Sequence, residues 1–305
     1  MTTVARGGAP AAGSEWRLFL QERISALVVA PSFALILLFV YGFILWTIYM
    51  SFTGSTLLPS YELVGIEPYK AMVGSSRFSV AFTNLMVFGA LFILIAMALG
   101  SVLAVLLDQR IRIEGALRTI YLYPMAISFI VTGVAWKWIL NPGIGIQKFM
   151  QDLGFAGFEF DWIVDRDMAV YTLVIAAVWQ ASGFVMAMVL AALRGVDQEI
   201  VKAAQLDGAS LPRIYASIML PSIRPVFVSA FVILMHLAVK SFDLVVALTG
   251  GGPGFQSTLP ANFMYEMTFR RNQIAVGSAS AVFMLAIVLA IIVPYLYSEL
   301  RQQKR

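Results

Sequence analysis

Few side chains in this chain could do chemistry, and most of them stand among apolar neighbours. Trp179, Gln180 and Ser182 fall together in one apolar stretch. An indole face there could pack on the apolar face of a small molecule while an amide and a hydroxyl bind its polar groups, the mix of apolar wall and sparse polar groups that small-molecule sites use. Lys240 and Asp243 stand three apart in another stretch. On one helix they would be neighbours able to pair, and ionisable groups in such surroundings mark either a substrate path or a structural ion pair. Asn84 and Asn141 are further amides that could line a path, and His236 is the single histidine, at similar depth to Ser182. The glycines at 250–252 and 254 have the look of a phosphate cradle, but a nucleotide loop of that kind needs lysine directly after glycine. None of the six lysines has glycine before it, so the chain is not expected to split ATP. For Trp179, Gln180, Ser182, Asn84, Asn141 and His236 a place in the packed core is the plainer reading, for the glycines it is a turn at the end of a stretch, and for Lys137, Trp136 and Trp138, near the end of a stretch, it is anchoring at a membrane interface.

The elements that must hold these residues follow from composition. Of 305 residues, 60% are hydrophobic and 12% charged, with mean hydropathy +0.84, too little polar surface to cover a soluble domain. The net charge of +4 lies in scattered loops rather than one block, so no nucleic-acid partner is expected. Cysteine is absent, which excludes disulfides, thiolate catalysis and cysteine metal sites. Crossing a hydrocarbon core about 30 Å thick takes roughly 20 apolar residues, and the stretches 27–52, 82–107, 119–140, 168–193, 226–248 and 275–298 reach that length. Backbone groups in lipid must pair within the segment, and barrel alternation is missing. The expected fold is therefore all-α, a polytopic membrane protein with six transmembrane helices, preceded by a tail at 1–26 and followed by one at 299–305. The first stretch is longer than a signal-peptide core and lacks a convincing cleavage site, so 27–52 is expected to stay as a transmembrane helix.

Basic residues set the orientation. Arg6, Arg17, Arg23, Arg110, Arg112, Arg118, Arg194, Lys202, Arg213, Arg224, Arg301, Lys304 and Arg305 lie on one side of the spans, 13 in all, against Lys70, Arg77, Lys148, Arg166, Arg270 and Arg271 on the other. The richer side faces the cytoplasm, which places both termini there. Of the outer loops, 53–81, 141–167 and 249–274, the second mixes aspartates with aromatic residues and is expected to form a partly ordered cap.

One inner loop, 197–221, breaks the pattern with small and polar residues. Asp197 can cap a short helix that Gly208 ends, and Ser210 can cap a second with Pro212 in its first turn. Leu211, Ile214, Tyr215, Ile218 and Met219 would share one face of that second helix. Ala203, Ala204 and Gly208 lack bulk, so another surface could approach the backbone closely. A hairpin resting on the membrane interface explains the same pattern without a partner.

The spacing Ala-Ala-x3-Gly-x9-Ile-x-Leu-Pro, carried by Ala203, Ala204, Gly208, Ile218, Leu220 and Pro221, resembles the cytoplasmic signature of the membrane subunits of bacterial ABC importers. That resemblance implies a type I ABC importer transmembrane fold over a core at 78–298, with 197–221 as the coupling loop seated in a cleft of the ATP-binding subunit. The coupling residues it implies are Glu199, Lys202, Ala203, Ala204, Asp207, Gly208, Ile218, Leu220 and Pro221. Where that family places glutamate before the two alanines this chain has Lys202, with Glu199 one turn earlier. Ser241-Phe242-Asp243-Leu244 and Leu248-Thr249-Gly250-Gly251-Gly252-Pro253-Gly254 look like the carbohydrate-uptake permeases of the maltose-type class. With Gly195-Val196-Asp197, Asp207-Gly208-Ala209-Ser210 and the stretch from Pro294 to Leu300, the chain is similar to glucose and mannose permeases. The resemblance implies a transport subunit rather than an enzyme, without a cofactor of its own, in the inner (plasma) membrane. Its implied partners are membrane lipid, a second permease subunit, two ATP-binding subunits that hold ATP and Mg, and an extracytoplasmic sugar-binding protein that the loop 250–254 could touch.

Two other classes fit parts of the pattern. Ala181-Ser182-Gly183 with His236 resembles the dyad of rhomboid-type intramembrane serine proteases, although Gln180 stands where that family has glycine and the residues after His236 are not small. An ion-coupled secondary transporter would need no partner, but inverted repeats with broken helices are expected there, and the sequence gives no sign of either.

Overall fold

The computed structural model describes residue 24 and residues 28–109 and 111–302, with side chains as far as Tyr297. Arg6, Arg17, Arg23, Arg110, Lys304 and Arg305 lie outside the described residues, as does most of each expected tail, 1–26 and 299–305. Among the described residues helix is the regular secondary structure, linked by turns and loops, with one isolated antiparallel bridge, Thr53 with Leu63.

Helix α1 (Val28–Met50) is apolar on every side, as a lipid-bound span must be, and widens into a π turn at Leu37–Tyr41. It belongs largely to a separate unit, Met1–Tyr49, while all that follows forms a second unit, Met50–Arg305.

The second unit starts with α2 (Glu67–Val73) and the 33-residue α3 (Ser76–Asp108). Next come α4 (Glu114–Ala126) and α5 (Phe129–Ile139), which meet at 102°. A short helix, α6 (Ile146–Asp152), leads to α7 (Ala169–Arg194). The hairpin is α8 (Gln198–Leu206) and α9 (Leu211–Ser222), and α9 turns by 69° into α10 (Arg224–Val239). After α11 (Phe242–Leu248) the chain forms α12 (Pro260–Tyr265), a π turn at Glu266–Arg270, and α13 (Ile274–Gln302). Among the described residues four single helices are long and apolar enough to cross a membrane, and up to six if each bent pair counts as one span.

The core is α7 packed along α3. Small residues let the two axes close up: a Cβ on Gly100 would stand 2.6 Å from the Val185 Cβ and 2.8 Å from the Ser182 carbonyl oxygen. In lipid such close backbone approach replaces the hydrophobic effect as the source of helix association. Gly183 does the same for α4, since its Cβ would fall 1.8 Å from the Tyr121 carbonyl oxygen. A second cluster ties α2, α3, α12 and α13, with the Phe78 ring 5.3 Å from Phe263 and 5.4 Å from Phe283.

Two expected spans are not continuous. Within 119–140 the helix stops at Ala126, and Ile127 and Ser128 are extended at ψ 141 and 151. Pro124, which lacks an amide proton, weakens the turn just before. A helix break in lipid exposes backbone groups that something must satisfy. Gln180 of α7 does so, donating through Nε2 to the Ile127 carbonyl at 2.7 Å, and the Ser128 hydroxyl accepts from Val131 N.

Within 226–248 the helix ends at Val239, and Lys240 occupies the C-cap. Asp243 therefore falls in the next helix, where the rule for residues three apart on one helix does not apply. No ion pair joins Lys240 to Asp243 among the described residues. Broken helices thus occur after all, and their expected absence is no longer an argument against a secondary transporter.

Candidate functional site

The hairpin is built as a cap, a tight turn and a second arm. Asp197 Oδ1 accepts from Glu199 N at 2.8 Å and starts α8. Helix α8 runs to Leu206, and Gly208 turns the chain at φ 81, a left-handed conformation that glycine adopts without strain. Ser210 stands at the N-cap of α9, but its side chain makes no capping hydrogen bond.

The buried face of α9 differs from the expected one. Ile214, Met219 and Ile223 are buried, while Leu211 is exposed and Ile218 half-buried. Tyr215–Met219 is a π turn, and its hydrogen bonds span five residues instead of four. The extra residue carries the apolar stripe from Ile214 to Met219 and moves Ile218 off it. Pro221 and Pro225 flank the 69° bend at Ile223, where missing amide protons interrupt the ladder.

The residues implied as coupling contacts divide by direction. Glu199, Lys202, Ala203, Asp207 and Gly208 are exposed, whereas Ala204, Ile218, Leu220 and Pro221 are half-buried. Ala204 and Leu220 pack on the core, which fixes the arms against the bundle. Neither Glu199 nor Lys202 makes an ion pair among the described residues. Sequence reasoning missed the apolar tip: Leu206 is 89% exposed, Ile200 52% and Leu211 50%. Exposed large apolar groups beside small ones, on an otherwise polar hairpin, suit a protein cleft. Their signal was a leucine directly before the Asp207-Gly208 turn.

Tyr215 is the polar residue of the second arm. Its hydroxyl donates to Asp108 Oδ2 at 2.5 Å and accepts from Gln109 Nε2 at 2.8 Å. Burial first, then the Asp108 carboxylate, pushes the phenol up to about 12. It lies on the arm before the bend and stays a proton donor at physiological pH.

The proposed substrate-path residues fall into two places. Trp179 and Ser182 line a cavity of about 580 Å3 walled mainly by apolar residues of α3, α4 and α7. The Trp136 ring meets Trp179 edge-on at 5.9 Å there, while Trp138 is exposed. Gln180, 5% exposed, points the other way to the α4–α5 break, and its Oε1 is buried without a partner. Lys240, Asp243 and His236 line a second cavity of about 500 Å3. Ser182 and His236 thus open on different cavities, and no hydrogen bond joins them among the described residues.

Asn84 and Asn141 serve the backbone. Asn84 Nδ2 donates to the carbonyls of Gln256 and Thr258 at 2.6 and 3.0 Å, and Asn141 Oδ1 accepts from Gly143 N at 2.8 Å. The loop that Asn84 holds contains Gly250, Gly251 and Gly254, all at positive φ. Arg77 fastens the same region, donating to Glu266 Oε1 at 2.7 Å with its guanidinium 4.8 Å from the centre of the Phe255 ring. In the segment 141–167, Gln147 Oε1 accepts from Phe160 N, and Phe160 stacks on Trp162 at 4.7 Å.

A bundle of this form, with broken spans and a glycine-turned hairpin, defines a class. Residues 96–302 match the family described as the binding-protein-dependent transport system inner membrane component, and the chain belongs to that family. It is 38% identical over 281 residues to a probable ABC transporter permease protein of Pyrococcus horikoshii, covering 92% of this chain and 96% of that one. It is 35% identical over 295 residues to the xylose/arabinose import permease protein of Haloferax volcanii, covering 95% and 92%. Both organisms are archaea, so the likeness is not confined to bacteria. In fold it matches a chain of the crystal structure of a bacterial ABC transporter that imports alginate, with TM-score 0.81 at 18% identity, over 94% of this chain and 99% of that one. The fold is that of ABC importer permeases, and the membership sets aside both the protease and the secondary-transporter readings.

Proposed function

We propose that this chain is the permease subunit of an ATP-driven sugar importer, forming half of the translocation path in the plasma (inner) membrane with both termini in the cytoplasm. The observation that carries the coupling role is the hairpin at 197–221, in which Ala203 and Gly208 lie open beside Leu206, 89% exposed. Two ATP-binding subunits hold ATP and Mg and receive this hairpin, a second permease subunit completes the path, and an extracytoplasmic sugar-binding protein delivers cargo near the loop 250–254. This chain needs no cofactor, and the core at 78–298 does the transport work.

Glucose or mannose is the cargo we assign, on the resemblance that Gly195–Asp197, Asp207–Ser210 and Pro294–Leu300 carry together with Ser241–Leu244 and Leu248–Gly254. Trp179 and Ser182 offer a ring face and a hydroxyl in one cavity, and Lys240 and Asp243 offer charged hydrogen-bonding groups in the other. Gln180 is assigned to hold the α4–α5 bend.

The test is purification with the neighbouring subunits, followed by ATPase and uptake assays in vesicles across glucose, mannose, xylose and maltose. The complex is expected to take up the hexoses best and only with ATP. Vesicles holding this chain alone should accumulate none, and accumulation by the lone chain would overturn the reading.

A further inference from the structure

Beneath the hairpin several elements end on one polar cluster. Asp108 closes α3, Glu114 opens α4, Arg194 closes α7 and Tyr215 begins the π turn of α9. The Tyr215 hydroxyl donates to Asp108 at 2.5 Å. Arg194 stands with Nε 4.0 Å from the other Asp108 oxygen and donates through Nη2 to Glu114 Oε1 at 2.7 Å. Arg118, one turn further along α4, donates to the same Glu114 oxygen at 2.5 Å. The Asp108 and Glu114 side chains are 16% and 27% exposed against 42% for Arg194 and 41% for Arg118, so the Tyr215–Asp108 bond is the shielded link and the arginine pairs are partly screened.

We propose that Tyr215, Asp108, Arg194 and Glu114 form a relay that passes movement of the hairpin to α3, α7 and the bent α4–α5 pair. The proposal rests on the docking role given above to the hairpin. Apolar contacts at Ile214 and Met219 hold α9 to the bundle but are non-directional, so a small rotation of α9 can slide past them. A hydrogen bond cannot slide. Tyr215 is fixed by two at once, and a turn of α9 must either draw the end of α3 along or leave a half-buried carboxylate short of a donor. Arg194 makes the next link, since from α7 it faces a carboxylate on α3 and another on α4. Glu114 then carries the pull into the arm whose far end is the break at Ile127. All four are positioning residues, because none lines the cavities of the proposed substrate path.

The experiment uses the whole importer in vesicles, with the sugar of the panel above that most stimulates the ATPase of the unmodified complex. Sugar moved per ATP split is measured beside the amount of ATP-binding subunit retained. Tyr215→Phe keeps the ring and its burial and removes only the hydroxyl. The ATP-binding subunit should stay bound while sugar moved per ATP falls roughly tenfold, the scale of one hydrogen bond to a charged group. Asp108→Asn should act in the same way, and Asp108→Glu should recover part of the loss. An unchanged ratio in Tyr215→Phe overturns the relay. So do uptake and ATPase that fall together in step with the assembled complex, the result of a merely structural contact. If instead the unmodified chain fails to retain the ATP-binding subunit, the docking role fails first and the relay with it.

Discussion

Replacing Gly183 by alanine adds one methyl group at the tightest helix contact in the bundle's core. Its Cβ would lie 1.8 Å from the Tyr121 carbonyl oxygen and 2.7 Å from the Tyr121 carbonyl carbon, both backbone atoms of α4. No rotamer change relieves that. Helix α4 must retreat until the 1.8 Å contact opens to 3.0 Å or more, and its retreat pulls the Ile127 carbonyl from Gln180 Nε2. Overpacking of this kind costs about 1–3 kcal/mol, and each 1.4 kcal/mol lowers the folded-to-unfolded ratio about tenfold. Gly115→Ala in the same helix is the control, because a Cβ there meets nothing within 4 Å. Its effect is the gain in helix propensity alone, which at the second residue of α4 is a fraction of the about 1 kcal/mol of a helix interior. Unfolding of the purified protein in mixed micelles by titration with a denaturing detergent, followed by tryptophan fluorescence, reads both. Opposite shifts of the midpoint are expected. A Gly183→Ala protein as stable as its parent would refute the close packing of α4 on α7.

Further outcomes follow from single contacts. Gly208→Trp should insert in the membrane normally yet lose the ATP-binding subunit on purification and lose uptake, because a side chain at φ 81 is strained while nothing in the bundle lies within 4 Å of its Cβ; retention of both activities would remove the docking role. Gln180→Glu sets a carboxylate against the Ile127 carbonyl where an amide now donates, and should cost at least about 2 kcal/mol in the same titration. Arg77→Ala removes the link from α3 to Glu266 and Phe255. With both partners about a third exposed or less, the loss should be about 1 kcal/mol, seen as a lower thermal midpoint.

How much of this was legible beforehand depended on the kind of signal. Span length is written in runs of apolar residues, so α3 and α7 fall within a few residues of their expected bounds, 82–107 and 168–193. Breaks inside spans are not, because hydropathy is blind to the extended pair Ile127 and Ser128, which are as acceptable to lipid as helix once Gln180 satisfies the carbonyl. Pro124 was the available hint. Lys240 looked like a mid-helix charge because the run stays apolar on both sides of it, although its place at the C-cap is where a cation suits the helix dipole. The hairpin could be read from Asp197 and Gly208, residues whose local chemistry sets backbone shape. The face of α9 could not, since a π turn depends on packing around Ile214 and Met219 rather than on any residue type.

Leu206 has a consequence for the life of the molecule before assembly. A leucine 89% exposed at the end of α8 is a handle for proteases, chaperones and stray copies of the same polypeptide. On the docking role proposed for the hairpin, an orphan subunit carries its own mark of incompleteness, erased when the ATP-binding subunit covers Leu206. Cells that make the parts of this machine in matched amounts would keep that mark from showing.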